Sequence, residues 1–392
     1  MKYPFPVQPG LDVDPQYELF RRECPVARVE LPHGGPAWLV TGHPETKLVL
    51  SDPRFSRAQA ALPACPRFTP RPLPAELLQS LDPPDHTRVR RVVAREFTAH
   101  RVERLRPATE RLVDELLDDL TEGGPGTDMV GTFAMPLPVR VICDLLGVPY
   151  SDREMFATYS DAMLSTTAYT EQEVELATAE LQRYLAKLIE QQRRAPGAGL
   201  LGSLAQAGGP DGELSEPELV MLGVVILVGG YETTACQLAN MLYTLLTRPD
   251  HFAALRDDPE LIPGAVSEMV RFIPLGAAGS YPRVATSEVT VGDVTIRAGD
   301  AVITHAGAAN RDERVFTNPH MLDFERQDNP HLGFGHGPHL CLGSRLATME
   351  LQVALRAVVR RFPTLRLAVP ADEVAWKAGI ILRGPVTLPV SW

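Results

Sequence analysis

A mainly α-helical chain carrying small β-sheets (α+β) is the fold class this sequence predicts, and three observations carry that reading. Between His86 and about Ala195, segments such as TRVRRVVAREF, VERLRPATERLVDELLDDL and EQEVELATAELQRYLAKLIEQQRR repeat apolar residues at spacings of three and four. Leu219 to Leu246 is one long, mostly apolar run. After Arg283 the period shortens to that of strands separated by Gly-Asp turns, in EVTVGDVTIRAGDAVITHAGAANRD.

In chain order, the part up to about Arg57 alternates proline-rich connections with short apolar runs such as AWLVTGH, which predict small strands beside one helix. Ala61 to His86 holds so many prolines that no long helix can form, and it reads as an irregular binding loop or lid. Several long helices follow to Ala195. PGAGLLGSLAQAGGPDGELSEPE reads as a Gly-rich connection. The uninterrupted apolar part of the next helix, Leu219 to Gly230, is too short to span a bilayer, which predicts a buried central helix. Trp376 to Val390 predicts another small sheet with a turn at Arg383-Gly384. With no repeats, charge blocks or domain boundary, residues 1–392 are expected to form a single domain.

Composition bounds the function. The net charge of -11 argues against a general nucleic-acid or anionic-membrane surface. Lysine occurs only at Lys2, Lys47, Lys187 and Lys377, and this arginine-rich usage is the habit of a GC-rich bacterial genome. Five scattered cysteines, Cys24, Cys65, Cys143, Cys236 and Cys341, with no CxxC pair, fit a reducing cytosol. The start MKYPFPVQPG has no apolar signal-peptide region, so a soluble cytoplasmic protein is expected.

The chemistry concentrates in GFGHGPHLCLGSRLA, Gly333 to Ala347. A thiolate placed just before the helix predicted from Ser344 to Val359 would receive backbone N–H groups and the positive end of the helix dipole. Gly335, Gly337 and Gly343 let the backbone approach a flat partner. Three readings are open on these residues alone: zinc held by His336, His339 and Cys341 with no obvious fourth ligand, a Cys341-His339 nucleophile pair, and a generic loop cysteine. In the apolar helix, GGYETT (Gly229 to Thr234) interrupts a greasy run with an acid and two alcohols; its bland reading is a kinked core helix whose threonines bond back to the preceding turn. Glu268 and Arg271, three apart in SEMVRFIP, share a helix face, a common surface pattern.

The residues Phe334, Gly337, Cys341 and Gly343, in the order FxxGxxxCxG, resemble the haem-binding signature of the cytochrome P450 family, in its soluble bacterial branch and of the actinobacterial secondary-metabolism type. The resemblance runs over nearly the whole chain. It implies the single-domain P450 fold, with haem b held between the acid-alcohol helix and the cysteine-loop helix and Cys341 as axial thiolate. It implies oxygen activation supported by Thr233 and Glu232, although the family usually has Ala where this chain has Gly229. His86, Arg90, Arg283 and His339 fall at family positions for binding the haem propionates. Glu268, Arg271 and Arg326 fall at those of a structural ion-pair network.

The implied function is a haem-dependent monooxygenase that hydroxylates or epoxidises a bulky apolar small molecule, such as a polyketide or macrocycle. Oxidative ring closure or coupling without net hydroxylation is the alternative, and a non-catalytic haem-binding protein lies outside both. A colourless cysteine hydrolase is the poorest reading. No GxGxxG in a strand-turn-helix setting suggests a flavin or nicotinamide module, so the resemblance implies a ferredoxin and its reductase as electron donors, docking near Arg88, Arg91, Arg95 and Arg345. A monomer is expected. Ala61 to Pro84, Met163 to Glu173, Gly276 to Ser280 and the turn near Ile380 are expected to line the substrate pocket.

Overall fold

The computed structural model describes residues 1–197, 199–208 and 213–392. Asp14 opens α1 (Pro15–Glu23), its carboxylate accepting the Gln16 N–H at 2.9 Å. β1 (Val26–Leu31) and β2 (Gly35–Val40) form an antiparallel hairpin, followed by α2 (His43–Ser51) and the short β3 (Phe55–Ser56). The N-terminal part thus holds two helices where one was expected. The proline-rich stretch from Ala61 to His86 forms no α-helix before Asp85.

The helical middle consists of α3 (Asp85–Ala94), α4 (Ala99–Gly123), α5 (Pro136–Leu146), α6 (Arg153–Met163), α7 (Glu171–Arg194), α8 (Leu200–Ala207) and α9 (Glu216–Leu246). Capping boxes set the starts of α7, at Thr170 and Glu173, and of α9, at Ser215 and Glu218. The Gly-rich connection expected at 196–218 is corrected by α8: its leucines at 200, 201 and 204 bury one face against the core, which outweighs the glycines around them. Residues 198 and 209–212 of that connection lie outside the described residues.

α9 is apolar on every side and buried nearly throughout. By length and composition it could cross a membrane, but its most apolar window is 78% buried inside the protein, as a central core helix requires. α10 (Pro249–Asp257) and α11 (Ile262–Phe272) follow. β4 (Arg283–Ala285), the hairpin β5 (Val289–Val291) and β6 (Val294–Ile296), β7 (Ala301–Thr304) and the single turn α12 (Ala306–Ala309) come next. A five-stranded mixed sheet runs in the order β1-β2-β7-β4-β3. α13 (Ser344–Arg361) leaves the cysteine loop, and β8 (Arg366–Leu367) pairs with β9 (Val390–Ser391) at the end of the chain.

The sheet expected from Trp376 to Val390 is also corrected. Trp376 bridges Pro385, and the Lys377 N–H bonds to the Gly384 carbonyl at 2.9 Å, so Gly384 lies on an arm of this hairpin and the turn falls near Gly379. Ser165 bridges Ile380 and Gly276 bridges Leu382, so the tip joins other loops rather than a sheet. Pro385 and Pro389 lack the N–H groups a ladder needs.

Candidate functional site

The cysteine loop is shaped by its own backbone. The Cys341 N–H bonds to the Phe334 carbonyl at 2.9 Å, and the Leu340 N–H to that of Gly337 at 3.0 Å. Gly337 has φ +71°, and a Cβ there would come 2.7 Å from the Leu50 carbonyl oxygen of α2, so both the turn and the close approach require glycine. Cys341 is exposed, and the protein around it raises its thiol pKa. The Gly343 and Ser344 N–H groups at the start of α13, and the charge of Arg90, act against that rise and favour the thiolate.

Beside the cysteine loop stands a set of arginine and histidine side chains. Arg90 reaches from α3 to donate to the Leu340 carbonyl at 2.6 Å. His86, one helical turn earlier, is buried, its Nε2 has no hydrogen-bond partner, and its ring lies 4.2 Å from that of His339. Burial is the main cause of the drop in both histidines, His86 to about 4 and His339 to about 2, with neighbouring positive charges adding to it. Arg283 begins β4 and is buried, and its side chain makes no hydrogen bond or ion pair among the described residues. Its pKa falls to about 9, by burial first and then by Arg57. Arg57 itself is buried, and its guanidinium donates to the carbonyls of Gln79, Tyr281 and Pro282.

Within α9, Thr233 is half-buried and donates its hydroxyl to the Gly229 carbonyl at 2.6 Å. A Cβ on Gly229 would meet no atom within 4 Å, whereas one on Gly230 would meet Ile142 Cδ1 at 2.6 Å; α5 packs closely on one side and the other is open. Glu232 is fully buried and points elsewhere, its Oε1 in an ion pair with Lys377 and 3.5 Å from Cys236 Sγ. Neighbours on an α-helix diverge by about 100°, so the acid and the alcohol address different surroundings.

A third cluster braces the loop from behind. Arg271 Nε and Nη2 donate to the two Glu268 oxygens, both at 2.7 Å, and Nη1 donates to the Asn310 and Pro319 carbonyls, both at 2.8 Å. Arg326 Nε donates to Glu268 Oε2 at 3.0 Å. All three side chains are buried, with every partner supplied, which is what makes such a network tolerable in a core.

The sequence profile described as Cytochrome P450 matches residues 35–381. The chain belongs to the cytochrome P450 family. It is 50% identical over 391 residues to a nocardicin C N-oxygenase of Nocardia uniformis subsp. tsuyamanensis, covering 100% of this chain and 98% of that protein. A mycinamicin IV hydroxylase/epoxidase of Micromonospora griseorubida is 44% identical over 390 residues, with 100% and 98% covered. The crystal structure of cytochrome P450mel 107F1, described as having biaryl coupling reactivity, superposes with a TM-score of 0.94 at 41% identity, covering 98% of this chain and 97% of that one.

The family's haem is a plane with two carboxylates, and the residues of this P450 fit it. Buried Arg283 forms no ion pair among the described residues and buried His86 Nε2 lacks a hydrogen-bond partner, and both act on His339, two residues before the thiol. Carboxylates would satisfy these orphaned donors. Two residues of the site were missed in the sequence. Arg57 is buried because Ser56 pairs with Val284, which sets it opposite Arg283 at the next step of the β3–β4 ladder; no local pattern signals this. Lys377, one of four lysines, is distinctive only by its rarity.

The segments expected to line a pocket meet in this P450. The Thr166 N–H bonds to the Gly379 carbonyl at 2.7 Å, the Ala277 N–H bonds to that of Ile381 at 2.9 Å, and Arg71 pairs with Glu171 at 3.8 Å. Of the arginines expected to dock a redox partner, Arg88 is held by Glu218 and Asp85, and Arg91 by Glu213. Arg95 and Arg345 are exposed and in no ion pair among the described residues.

Proposed function

We propose that this P450 holds haem b through Cys341, with His86, Arg90, Arg283 and His339 on its propionates, and hydroxylates or epoxidises a bulky apolar secondary metabolite such as a polyketide or macrocycle. The observation that carries this reading is the set of nitrogen donors gathered around His339, two residues before Cys341: the buried guanidinium of Arg283 with no ion pair among the described residues, buried His86, and Arg90. A haem with a thiolate ligand supplies the activation of dioxygen. The printed activities of the nocardicin and mycinamicin enzymes support the substrate class.

The chain's own residues position and protonate. Thr233 presents a hydroxyl on the open side of α9, and Glu232 supplies the acid of the pair. Glu268, Arg271 and Arg326 hold the backbone that carries the cysteine loop. The whole of residues 1–392 acts as one cytoplasmic, monomeric haem-thiolate domain. The five free cysteines support a reducing compartment.

Electrons come from a ferredoxin and its reductase, docked on the face carrying Arg95 and Arg345. Arg345→Glu is expected to slow reduction by the ferredoxin, most strongly at low ionic strength; an unchanged rate and salt dependence would remove this face from docking. Oxidative coupling is the second reading, favoured by the likeness to the biaryl-coupling structure. The experiment that decides is a screen for compounds that shift the haem spin state, followed by turnover under labelled dioxygen. Label in the product supports monooxygenation, an oxidised product without label supports coupling, and no product from any spin-shifting compound contradicts both.

A further inference from the structure

Between the proline-rich loop and the residues that lead into β4 lies a narrow cleft, with Arg57, Arg67, Leu73, Ser80 and Tyr281 in its walls. Among the described residues, no acidic side chain lines it. Several of its donors are unspent. Arg57 gives Nε to the Gln79 carbonyl and Nη1 to those of Tyr281 and Pro282, but its Nη2 donates to nothing among the described residues. Arg67 gives Nη1 to the Pro63 and Cys65 carbonyls and Nη2 to that of Pro70, while its buried Nε has no partner. Ser80 is 2% exposed, and its Oγ has no partner either. Neither arginine forms an ion pair among the described residues.

We propose that this cleft is a carboxylate-binding subsite for the substrate, in which Arg57, Arg67 and Ser80 hold one carboxylate of an otherwise apolar molecule; the proposal rests on the reading of this chain as an oxidase of such a molecule. An ionised carboxylate only accepts hydrogen bonds and has roughly four sites for them. Two guanidiniums and a hydroxyl with N–H and O–H groups to spare are its complement in both charge and hydrogen bonding. Without it, a buried charge and buried donors stay unpaired, which lowers stability.

The surroundings supply no anion in its place. The carboxylate that acts on Arg57 is that of Asp82, and it is already spent on the Ser56 hydroxyl and on the Arg57 and Ala58 N–H groups. Burial lowers the pKa of Arg57 to about 10, against the pull of Tyr281, Asp82 and Cys65, so the group is still a cation near neutral pH. Burial pushes the Cys65 thiol up to about 11 and raises the Tyr281 phenol, and both stay neutral there. Position ties the cleft to the substrate. Its walls come from the loop of Ala61 to Pro84 and from the residues that directly follow Gly276 to Ser280, two of the segments expected to line the substrate pocket. The charge of Arg57 also acts on Arg283 and His339, so the cleft borders the residues proposed for the propionates. Its narrowness admits a single polar group and leaves the apolar body of the substrate outside.

The test titrates the substrate-free holoenzyme with ω-phenylalkanoic acids of increasing chain length and with their methyl esters, reading binding by calorimetry and by the haem spin state. An acid of the series is expected to bind about tenfold more tightly than its own ester, the worth of a charge-assisted hydrogen bond, and to shift the spin state. Arg57→Met should lower that acid-to-ester preference about tenfold. Ser80→Ala, which removes a hydroxyl that holds nothing in the loop, should lower it severalfold with the melting temperature unchanged. A variant that merely loosened the loop would weaken acid and ester alike, so Ser80→Ala decides the case if Arg57→Met disturbs the fold. The subsite is overturned if no acid is preferred to its ester, or if the preference survives both variants; faster haem loss from Arg57→Met with the preference intact would give Arg57 to the propionates instead. An acid preference in calorimetry without any spin-state shift would overturn the assignment to the substrate. The carbon-monoxide spectrum of the same protein reports separately on the reading beneath: a missing thiolate band with the preference intact overturns that reading and leaves the carboxylate site standing.

Discussion

Arg283 is a buried guanidinium with no anion of its own, and such a charge lowers the stability of a fold until something neutralises it. Arg283→Met therefore has opposite effects on the two forms of the protein. Haem affinity is expected to fall roughly ten- to a hundredfold, the worth of a charge-assisted hydrogen bond, while the melting temperature of the haem-free protein rises. Haem transfer to an acceptor globin measures the first and a thermal melt the second; a fall in both would show that Arg283 is partnered by protein. His305 makes a second residue-scale case. Its ring is buried against Tyr17 at 4.0 Å, and Nδ1 accepts the Ala308 N–H at 2.9 Å. Burial, helped by Arg311 and Arg383, lowers its pKa from 6.5 to about 3. The unfolded chain therefore binds a proton below pH 6.5 that the folded chain refuses, and stability falls by about 1.4 kcal/mol per pH unit as pH drops toward the folded value. His305→Asn keeps an acceptor for the cap and should flatten the slope by about one proton in denaturant melts across that window; an unchanged slope would contradict it.

At the scale of elements, the two glycines of α9 separate packing from access. Gly230→Ala puts a methyl against Ile142 and is expected to destabilise by about 1–2 kcal/mol, as overpacking does. Gly229→Ala meets nothing and should stabilise by about 0.5–1 kcal/mol through helix propensity alone. Denaturant melts of the two variants check the pair, and equal effects would contradict the contrast. Elements whose period is dictated by burial were legible in the sequence: α7, α9 and α13 follow their apolar spacing to within a few residues. The failures have the same physical root. α8 is too short to show a period among glycines, and the hairpin near Gly379 takes its partners from Ser165 and Gly276, which no local pattern reveals.

At the scale of the molecule, the site is assembled from widely separated parts of the chain. Its proposed members are read from the sequence where a motif names them, as at Cys341, or where family register places them, as at His86, Arg283 and Arg326. Arg57 and Lys377 were not, because each acquires its partners only through tertiary contact, Arg57 through the β3–β4 ladder and Lys377 through the hairpin that carries it to α9. The proposed function rests on one bond, between the Cys341 sulfur and a haem iron. The most direct measurement is the spectrum of the reduced, carbon-monoxide-bound protein beside that of Cys341→His. The wild type is expected to show the strongly red-shifted Soret band of a thiolate ligand, and Cys341→His to lose it. A wild-type spectrum like that of a histidine-ligated haem, or no haem retained at all, would contradict the account.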